Sequence, residues 1–176
     1  MKKGVLLVLL LCFLAIVGVG VFMSKSPNKN EVKGGVMAAK ATIQTSKGSF
    51  TIELYPDETP QTVKNFSDKA LSGYYKNLTF HRVESWVTQG GDPQGNGTGG
   101  GKMPTELSKR TFGVGSVGVA RGPDIAVSND SQFFVCTDDC AWLTGQYTNF
   151  GKVVDGMDVV KSIQVGDTIQ NISIQP

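Results

Sequence analysis

The sequence predicts a mainly β protein: a closed eight-stranded antiparallel β-barrel capped by two α-helices and preceded by one apolar N-terminal helix. Three observations support this fold class. Short segments of alternating polar and apolar residues recur along the chain, and two other segments have helical periodicity. In addition, 22 of the 176 residues are glycine, which is typical of a fold with many turns.

The first hairpin and the first helix are predicted from residue 41 onward. Residues 41–45 and 50–55 alternate on either side of a turn at Lys47-Gly48, which predicts a β-hairpin with one buried face. Thr59 is suited to cap a helix and Pro60 to occupy its first turn, and Gly73 can end it. The helix has one apolar stripe, which we expect to be buried: Val63, Phe66, Ala70 and Leu71.

The remaining strands are short and are separated by turns. The pattern predicts them at 78–83, 86–89, 115–120, 131–136, 149–154 and 169–174, with a second short helix at 157–163. Residues 90–101 contain seven glycines in twelve positions, so we expect an irregular loop there. These strands and two helices together account for the predicted barrel with its helical caps.

The N-terminus predicts a membrane anchor. Lys2 and Lys3 precede an uncharged apolar run at 4–23, and twenty helical residues span roughly 30 Å, the thickness of a bilayer core. Two lysines at the start favour a cytoplasmic N-terminus and an extracytoplasmic remainder. The domains are therefore an anchor at 1–23, a polar flexible linker at 24–37 and a folded domain at 38–176. A cleaved signal peptide, which would release a secreted or periplasmic protein, is the alternative.

Charge and cysteine content exclude two classes of protein. The net charge is +2, and Lys2 and Lys3 account for it, so the remainder is neutral and we expect no nucleic-acid binding. Three cysteines do not make a disulfide framework. The simplest interpretation is a buried thiol at Cys136 and a loop thiol at Cys140, and the alternative is a short-range disulfide, which an oxidising compartment would favour.

The candidate chemistry lies in aromatic, amide and arginine side chains. His81 is the one histidine, no serine-elbow pattern accompanies it, and a tethered hydrolase is therefore disfavoured. The glycine-rich loop is not followed by Lys-Ser/Thr, so it is a poor phosphate site, and no residues have metal-ligand spacing. Arg82 stands instead among apolar and amide neighbours in the predicted strands.

Six segments, in order, resemble the cyclophilin family of peptidyl-prolyl cis-trans isomerases. They are Phe80-His81-Arg82-Val83, Gln89-Gly90-Gly91-Asp92, Gly95-Asn96-Gly97-Thr98-Gly99-Gly100, Ser131-Gln132-Phe133-Phe134-Val135-Cys136-Thr137, Trp142-Leu143 and Phe150-Gly151-Lys152-Val153. The resemblance extends from about residue 41 to the C-terminus. It implies an eight-stranded barrel with two helices, a cofactor-free isomerase activity on X-Pro bonds and a proline pocket on the outer face of the barrel.

The resemblance also implies the site residues. Arg82 and Gln89 correspond to the catalytic positions, and His81 to a packed strand residue rather than an acid or base. Phe134 would form the floor of the proline pocket, with Leu143 in its wall and Trp142 at its rim. The implied substrate-binding set is completed by Trp86, Val87, Ala120, Arg121, Gln132 and Tyr147.

Four features depart from the family pattern. Six residues separate Arg82 from Gln89, one fewer than usual. Trp86 and Val87 stand where a phenylalanine and a methionine usually line the pocket. Arg121 replaces an asparagine and Tyr147 replaces a pocket histidine, both choices of bacterial-type members.

The expected function is therefore catalysis of X-Pro bond rotation in extracytoplasmic proteins, without a covalent intermediate. The expected partners are proline-containing polypeptides and, through Trp142, cyclosporin-type inhibitors, and the chain is expected to be a monomer. The alternative is a proline-peptide binding or chaperone module with little turnover, which the shortened link before Gln89 would favour.

Overall fold

The computed structural model describes residues 40–176. The predicted apolar helix at 4–23, the linker at 24–37 and the start of the folded domain at residue 38 lie outside the described residues. Among the described helices, none has the length and apolar character needed to cross a membrane.

The described residues form one curled antiparallel sheet with two α-helices. Its strands are β1 (Lys40–Thr45), β2 (Gly48–Leu54), β3 (Phe80–Glu84), β4 (Val87–Gly90), β5 (Lys102–Pro104), β6 (Ser116–Arg121), β7 (Val127–Cys136), β8 (Asn149–Asp155) and β9 (Ile169–Gln175). The helices are α1 (Pro60–Leu71), α2 (Met157–Ser162) and a short 3₁₀ helix, η1 (Ala141–Leu143). The main path through the sheet runs β3-β4-β7-β6-β8-β2-β1-β9, and β5 pairs with β7 outside that path.

The prediction of a closed barrel is wrong. β3 and β9 are the two ends of the path, and within residues 40–176 no ladder joins them. One isolated bridge, Thr79–Thr168, brings these edges together. The sheet is therefore a curled half-barrel, whose two edges are joined by a few backbone hydrogen bonds between residues 77–80 and 166–169 rather than by a ladder. The short strand β5 was not predicted, since three residues ending in proline give no alternating pattern.

The inner face of the sheet holds the main core. Phe66 of α1 lies 5.7 Å from Phe133 of β7 and 5.3 Å from Phe150 of β8, centroid to centroid, so α1 covers one end of the curled sheet. The predicted stripe of this helix is buried except for Leu71, which is 72% exposed at the last helical residue.

The N-terminus of α1 is capped from a distance. Thr59, the predicted cap, instead donates its hydroxyl to the carbonyl of Tyr55. The carboxylate of Glu106 accepts the backbone N–H groups of Gln61 at 3.1 Å and of Thr62 at 2.7 Å. A negative charge at a helix N-terminus satisfies free donors and interacts favourably with the helix dipole. This contact therefore ties the segment after β5 to α1.

Candidate active site

The site begins with one row of paired residues across four neighbouring strands. Arg82 of β3 pairs with Gln89 of β4, Gln89 with Phe134 of β7, and Phe134 with Gly118 of β6. Directly paired residues of antiparallel strands point to the same face of a sheet. Strand register alone therefore places the guanidinium, the amide and the phenyl ring side by side on the outer face.

Gly118 makes room for the ring of Phe134. A Cβ atom at this position would meet three carbons of that ring, including Cζ, so the ring lies directly over the glycine backbone. Phe134 is 4% exposed, stacks on Phe112 at 5.8 Å and meets the edge of Tyr147 at 5.9 Å. The ring is thus held from several sides and forms a flat apolar floor.

A second apolar cluster surrounds this floor on the outer face of the sheet. Its buried members are Val87, Phe112, Phe134, Cys136, Cys140 and Leu143, with Trp86 and Tyr147 packed against them. Val87 pairs directly with Cys136, two residues along from the Gln89–Phe134 pair, so both continue the same face. Successive side chains of β4 and β7 point to opposite faces of the sheet, so these two strands contribute to two apolar clusters, one on each face.

Cys136 and Cys140 form a disulfide, so the interpretation of two free thiols is wrong and the alternative is right. Their Cα atoms are 6.4 Å apart, and both residues are fully buried. The bond links the end of β7 to the residue that precedes η1. Because η1 carries Trp142 and Leu143, the disulfide fixes one wall of the site to the strand that carries its floor.

A chain of hydrogen bonds orients the amide side chains. Arg82 Nη1 donates to Gln89 Oε1 at 3.3 Å, and Gln89 Nε2 donates to Gln132 Oε1 at 3.0 Å. Gln132 Nε2 donates to the backbone carbonyl of Gly99 at 2.8 Å and to that of Gly97 at 3.2 Å. The carbonyls of the glycine loop therefore fix which way both amides point.

Asp92 holds this glycine loop in place. Its carboxylate accepts backbone N–H groups from Gln94, Asn96 and Gly97. Burial opposes ionisation of this carboxyl, but the three N–H donors outweigh it and hold its pKa below the usual value. The loop that carries the carbonyls bound by Gln132 is therefore organised around one buried charge.

The arginine, amide and aromatic side chains described above line a cleft of about 380 Å³ on the outer face of the sheet. Nine predicted site residues line it: Arg82, Trp86, Val87, Gln89, Ala120, Arg121, Phe134, Leu143 and Tyr147. The other two lie next to it. Gln132 lines an adjoining cleft of about 520 Å³, and Trp142 packs edge-on against Trp86 with 5.2 Å between ring centroids.

Arg121 forms the boundary between the two clefts. Its Nε and Nη1 donate to the carbonyls of Gln146 and Gly122, both at 2.8 Å, and its guanidinium lies 4.3 Å from the ring centroid of Tyr147. Ala120 precedes it where the register of β6 against β7 shifts, so both residues line the clefts.

His81 lies at a bulge in β3. The register shifts between Phe80 and Arg82, and the imidazole lines the cleft although it was expected to be only a packed residue. Both of its ring nitrogens are buried without a hydrogen-bond partner among the described residues. Burial lowers its pKa despite the nearby Asp92, which favours the neutral ring.

Two further features of the site, the glycine-loop residues in the cleft and the hydrogen bonds of Glu84, were not predicted from the sequence. Asn96 and Gly97 of the glycine loop line the cleft. The carboxylate of Glu84 accepts Arg82 Nε–H at 2.7 Å and the indole N–H of Trp86 at 3.1 Å. The alternation of β3 places residues 82 and 84 on one face, which is the signal that would have identified this contact.

Comparison with known proteins gives the family of the chain. Residues 40–175 match the family model described as cyclophilin type peptidyl-prolyl cis-trans isomerase/CLD. The chain is similar to peptidyl-prolyl cis-trans isomerase-like 1 of Emericella nidulans, 40% identical over 71% of this chain and 81% of that protein. It is also 40% identical to peptidyl-prolyl cis-trans isomerase 9 of Schizosaccharomyces pombe, over 77% of this chain but only 23% of the much longer relative.

Solved structures show the same fold. A cyclophilin type peptidyl-prolyl cis-trans isomerase of Cryptosporidium parvum aligns with a TM-score of 0.73 and 29% identity, covering 79% of this chain and 98% of that one. A second structure of the same protein, in the presence of the dipeptide Ala-Pro, aligns with a TM-score of 0.72 and 29% identity, over 78% and 99%. With its matched family model, its relatives and its fold in agreement, the chain belongs to the cyclophilin-type peptidyl-prolyl cis-trans isomerases.

Proposed function

We propose that the cleft between Arg82 and Phe134 is the active site of this isomerase and that it acts on X-Pro bonds of extracytoplasmic polypeptides. The observation that carries the proposal is the row of paired residues across β3, β4, β7 and β6. It places a fixed cation and an apolar floor on the same face, two strands apart, with the amide of Gln89 between them. The related Cryptosporidium parvum protein was crystallised in the presence of Ala-Pro, which supports a proline peptide as the ligand.

The barrier to be lowered is amide resonance. Rotation about a peptide bond costs about 18–20 kcal/mol because the C–N bond has partial double-bond character. In the twisted transition state the proline nitrogen becomes pyramidal and carries a lone pair. A group that binds this lone pair, but not the planar ground state, lowers the barrier without forming a covalent intermediate.

Arg82 has the donors for this role. Of the five N–H groups of a guanidinium, Nε–H binds Glu84 and one N–H of Nη1 binds Gln89, so three have no acceptor in residues 40–176. A preorganised charged donor contributes about 2–4 kcal/mol to a transition state. Arginine keeps its charge at any physiological pH and its fork is rigid, so its donors are always available.

The apolar half of the cleft would hold the prolyl ring. Phe134 forms the floor, and Val87 and Leu143 are buried beside it. Gln89 is 9% exposed and its amide is fixed at both ends, so it can position the substrate backbone while one side of the bond rotates. Trp142 is 54% exposed, and its indole N–H has no acceptor among the described residues, which leaves it available to a cyclosporin-type ligand.

The extracytoplasmic location is supported by two independent features. One is the apolar run at 4–23 behind Lys2 and Lys3, with residues 24–37 as a tether. The other is the Cys136–Cys140 disulfide, because such bonds persist in oxidising compartments and are rare in reducing ones. Mass spectrometry of the mature N-terminus tests this part: an intact residue 1 supports an anchor, and a start near residue 24 supports cleavage.

The activity is tested by exchange NMR with the full chain in detergent and a short Ala-Pro peptide. Exchange cross-peaks between cis and trans forms at substoichiometric protein would support catalysis. Shifts of the peptide signals without accelerated exchange would instead support the binding module with little turnover. Because this readout separates binding from rotation, either result is decisive.

A further inference from the structure

The hairpin between β3 and β4 holds an ion pair at the edge of the cleft. Glu84 is the last paired residue of β3 and pairs with Val87, so only Ser85 and Trp86 lie in the turn. The link between Arg82 and Gln89 is short for this reason. Arg82 and Glu84 lie on one face, two residues apart, and the tight turn brings Trp86 back beside them.

Three contacts connect these side chains into a closed triangle. Glu84 Oε1 accepts Arg82 Nε–H at 2.7 Å, and Glu84 Oε2 accepts the indole N–H of Trp86 at 3.1 Å. The guanidinium carbon of Arg82 lies 5.2 Å from the centroid of the Trp86 ring. One carboxylate thus restrains both the cation and the aromatic ring that line this side of the cleft.

We propose that Glu84 is a positioning residue for the isomerase reaction, one that holds Arg82 and Trp86 in their catalytic geometry. This inference rests on the proposed role of Arg82. The carboxylate occupies Nε–H, the donor nearest the side-chain stem, and leaves donors of Nη1 and Nη2 available to the substrate. A long flexible side chain held at two points loses fewer rotamers when substrate binds.

The second contact extends the effect to the rim. Trp86 meets Trp142 edge-on at 5.2 Å, and Trp142 belongs to η1, which the disulfide holds against β7. Glu84 therefore links the guanidinium to the opposite wall through two indole rings. Loss of its carboxylate frees the arginine and lets the tryptophan pair separate.

The chain contains a matched control for this experiment. Glu58 Oε1 accepts Arg110 Nε–H at 2.8 Å, and the Arg110 guanidinium lies 3.6 Å from the ring centroid of Tyr55. This second pair has the same chemistry and similar exposure, but none of its residues lines the cleft. Glu58→Ala therefore removes an equivalent ion pair without touching the site.

The test is steady-state kinetics of the full chain in detergent with an Ala-Pro peptide. We expect Glu84→Ala to lower kcat/KM by about threefold to fivefold, mainly through kcat, which is the upper part of the range typical of an exposed ion pair. Glu84→Gln should restore part of the loss, because its amide oxygen accepts one of the two bonds. Glu58→Ala should leave kcat/KM within twofold of the unsubstituted chain.

A spectroscopic readout separates positioning from general stability. The Nε–H signal of Arg82 should be sharp in the unsubstituted chain and in Glu58→Ala, and should broaden through exchange with water in Glu84→Ala. Unchanged activity in Glu84→Ala would overturn the proposal. Increased activity would also overturn it, because Glu84 would then be competing with the substrate for the donors of Arg82. If Arg82→Ala itself kept full activity, the proposed function would fail instead, so the two failures are distinguishable.

Discussion

The glycine beneath the pocket floor provides a sharp test of the site geometry. In Gly118→Ala the new Cβ would lie within 2.7 Å of Phe134 Cε1 and 2.8 Å of Cε2, and closer still to Cζ. Such distances are well inside van der Waals contact, so the ring must move. It cannot move toward Phe112, which is stacked on it, and the open direction is the cleft.

The expected effect follows from the cost of overpacking. Inserting a methyl group into a well-packed site costs about 1–3 kcal/mol. If this strain tilts Phe134 into the cleft, the proline site narrows, and we expect kcat/KM to fall by about 10-fold to 100-fold. The backbone at Gly118 does not have a positive φ, so the effect arises from the side chain alone.

Two variants control this experiment. Gly113→Ala introduces the same methyl group where nothing lies within 4 Å and φ is not positive, so its activity should match the unsubstituted chain. The double variant Gly118→Ala, Phe134→Leu should recover thermal stability, because the smaller side chain relieves the overlap, while activity stays low without the ring. Unchanged stability and kcat/KM in Gly118→Ala would refute the placement of Phe134 over this glycine.

Three further predictions concern the structures that support the site. Cys140→Ser should lower the free energy of unfolding by about 2 kcal/mol, the value for a five-residue loop, and should raise KM by loosening η1; an unchanged denaturation midpoint and KM would contradict this. Glu106→Gln should cost about 1 kcal/mol by weakening the cap of α1, measured by urea unfolding, with kcat/KM unaffected in the folded fraction. Asp92 has a lowered pKa, so its contribution to stability is fully present above the ordinary carboxyl value of 3.8 and is lost as pH falls through the lower folded value. Asp92→Asn should therefore flatten the pH dependence of the melting temperature below about pH 4, and an unchanged slope would argue against the loop anchored on this carboxylate.

The strands that build the site were predictable because their signal is local. Alternation in the segments around Arg82, Gln89 and Phe134 predicts strands, and the family resemblance implies that these three residues belong to one site. The order of pairing across four strands is not a local property, and neither is the gap between β3 and β9. The sequence therefore predicts the elements of the sheet but not that its two edges meet in one bridge, Thr79–Thr168.

The missed contacts share a physical cause. Glu106 caps a helix 44 residues away, and Glu84 reaches the indole N–H of Trp86 across a two-residue turn. Cys140 lies close to Cys136 because the chain turns back after β7, and the number of cysteines does not reveal this turn. In each case the deciding feature is the three-dimensional course of a loop, which periodicity does not report.

The central claim, that Arg82 lowers the rotation barrier, is tested most directly by exchange NMR on Arg82→Ala beside Arg110→Ala. Arg110 has the same ion-pair and aromatic contacts but lies outside the cleft. We predict that Arg82→Ala loses about 30-fold to 1000-fold in kcat/KM, the range for a lost charged donor of about 2–4 kcal/mol, while its fold is unchanged and Arg110→Ala remains active. Full activity in a folded Arg82→Ala would contradict the claim.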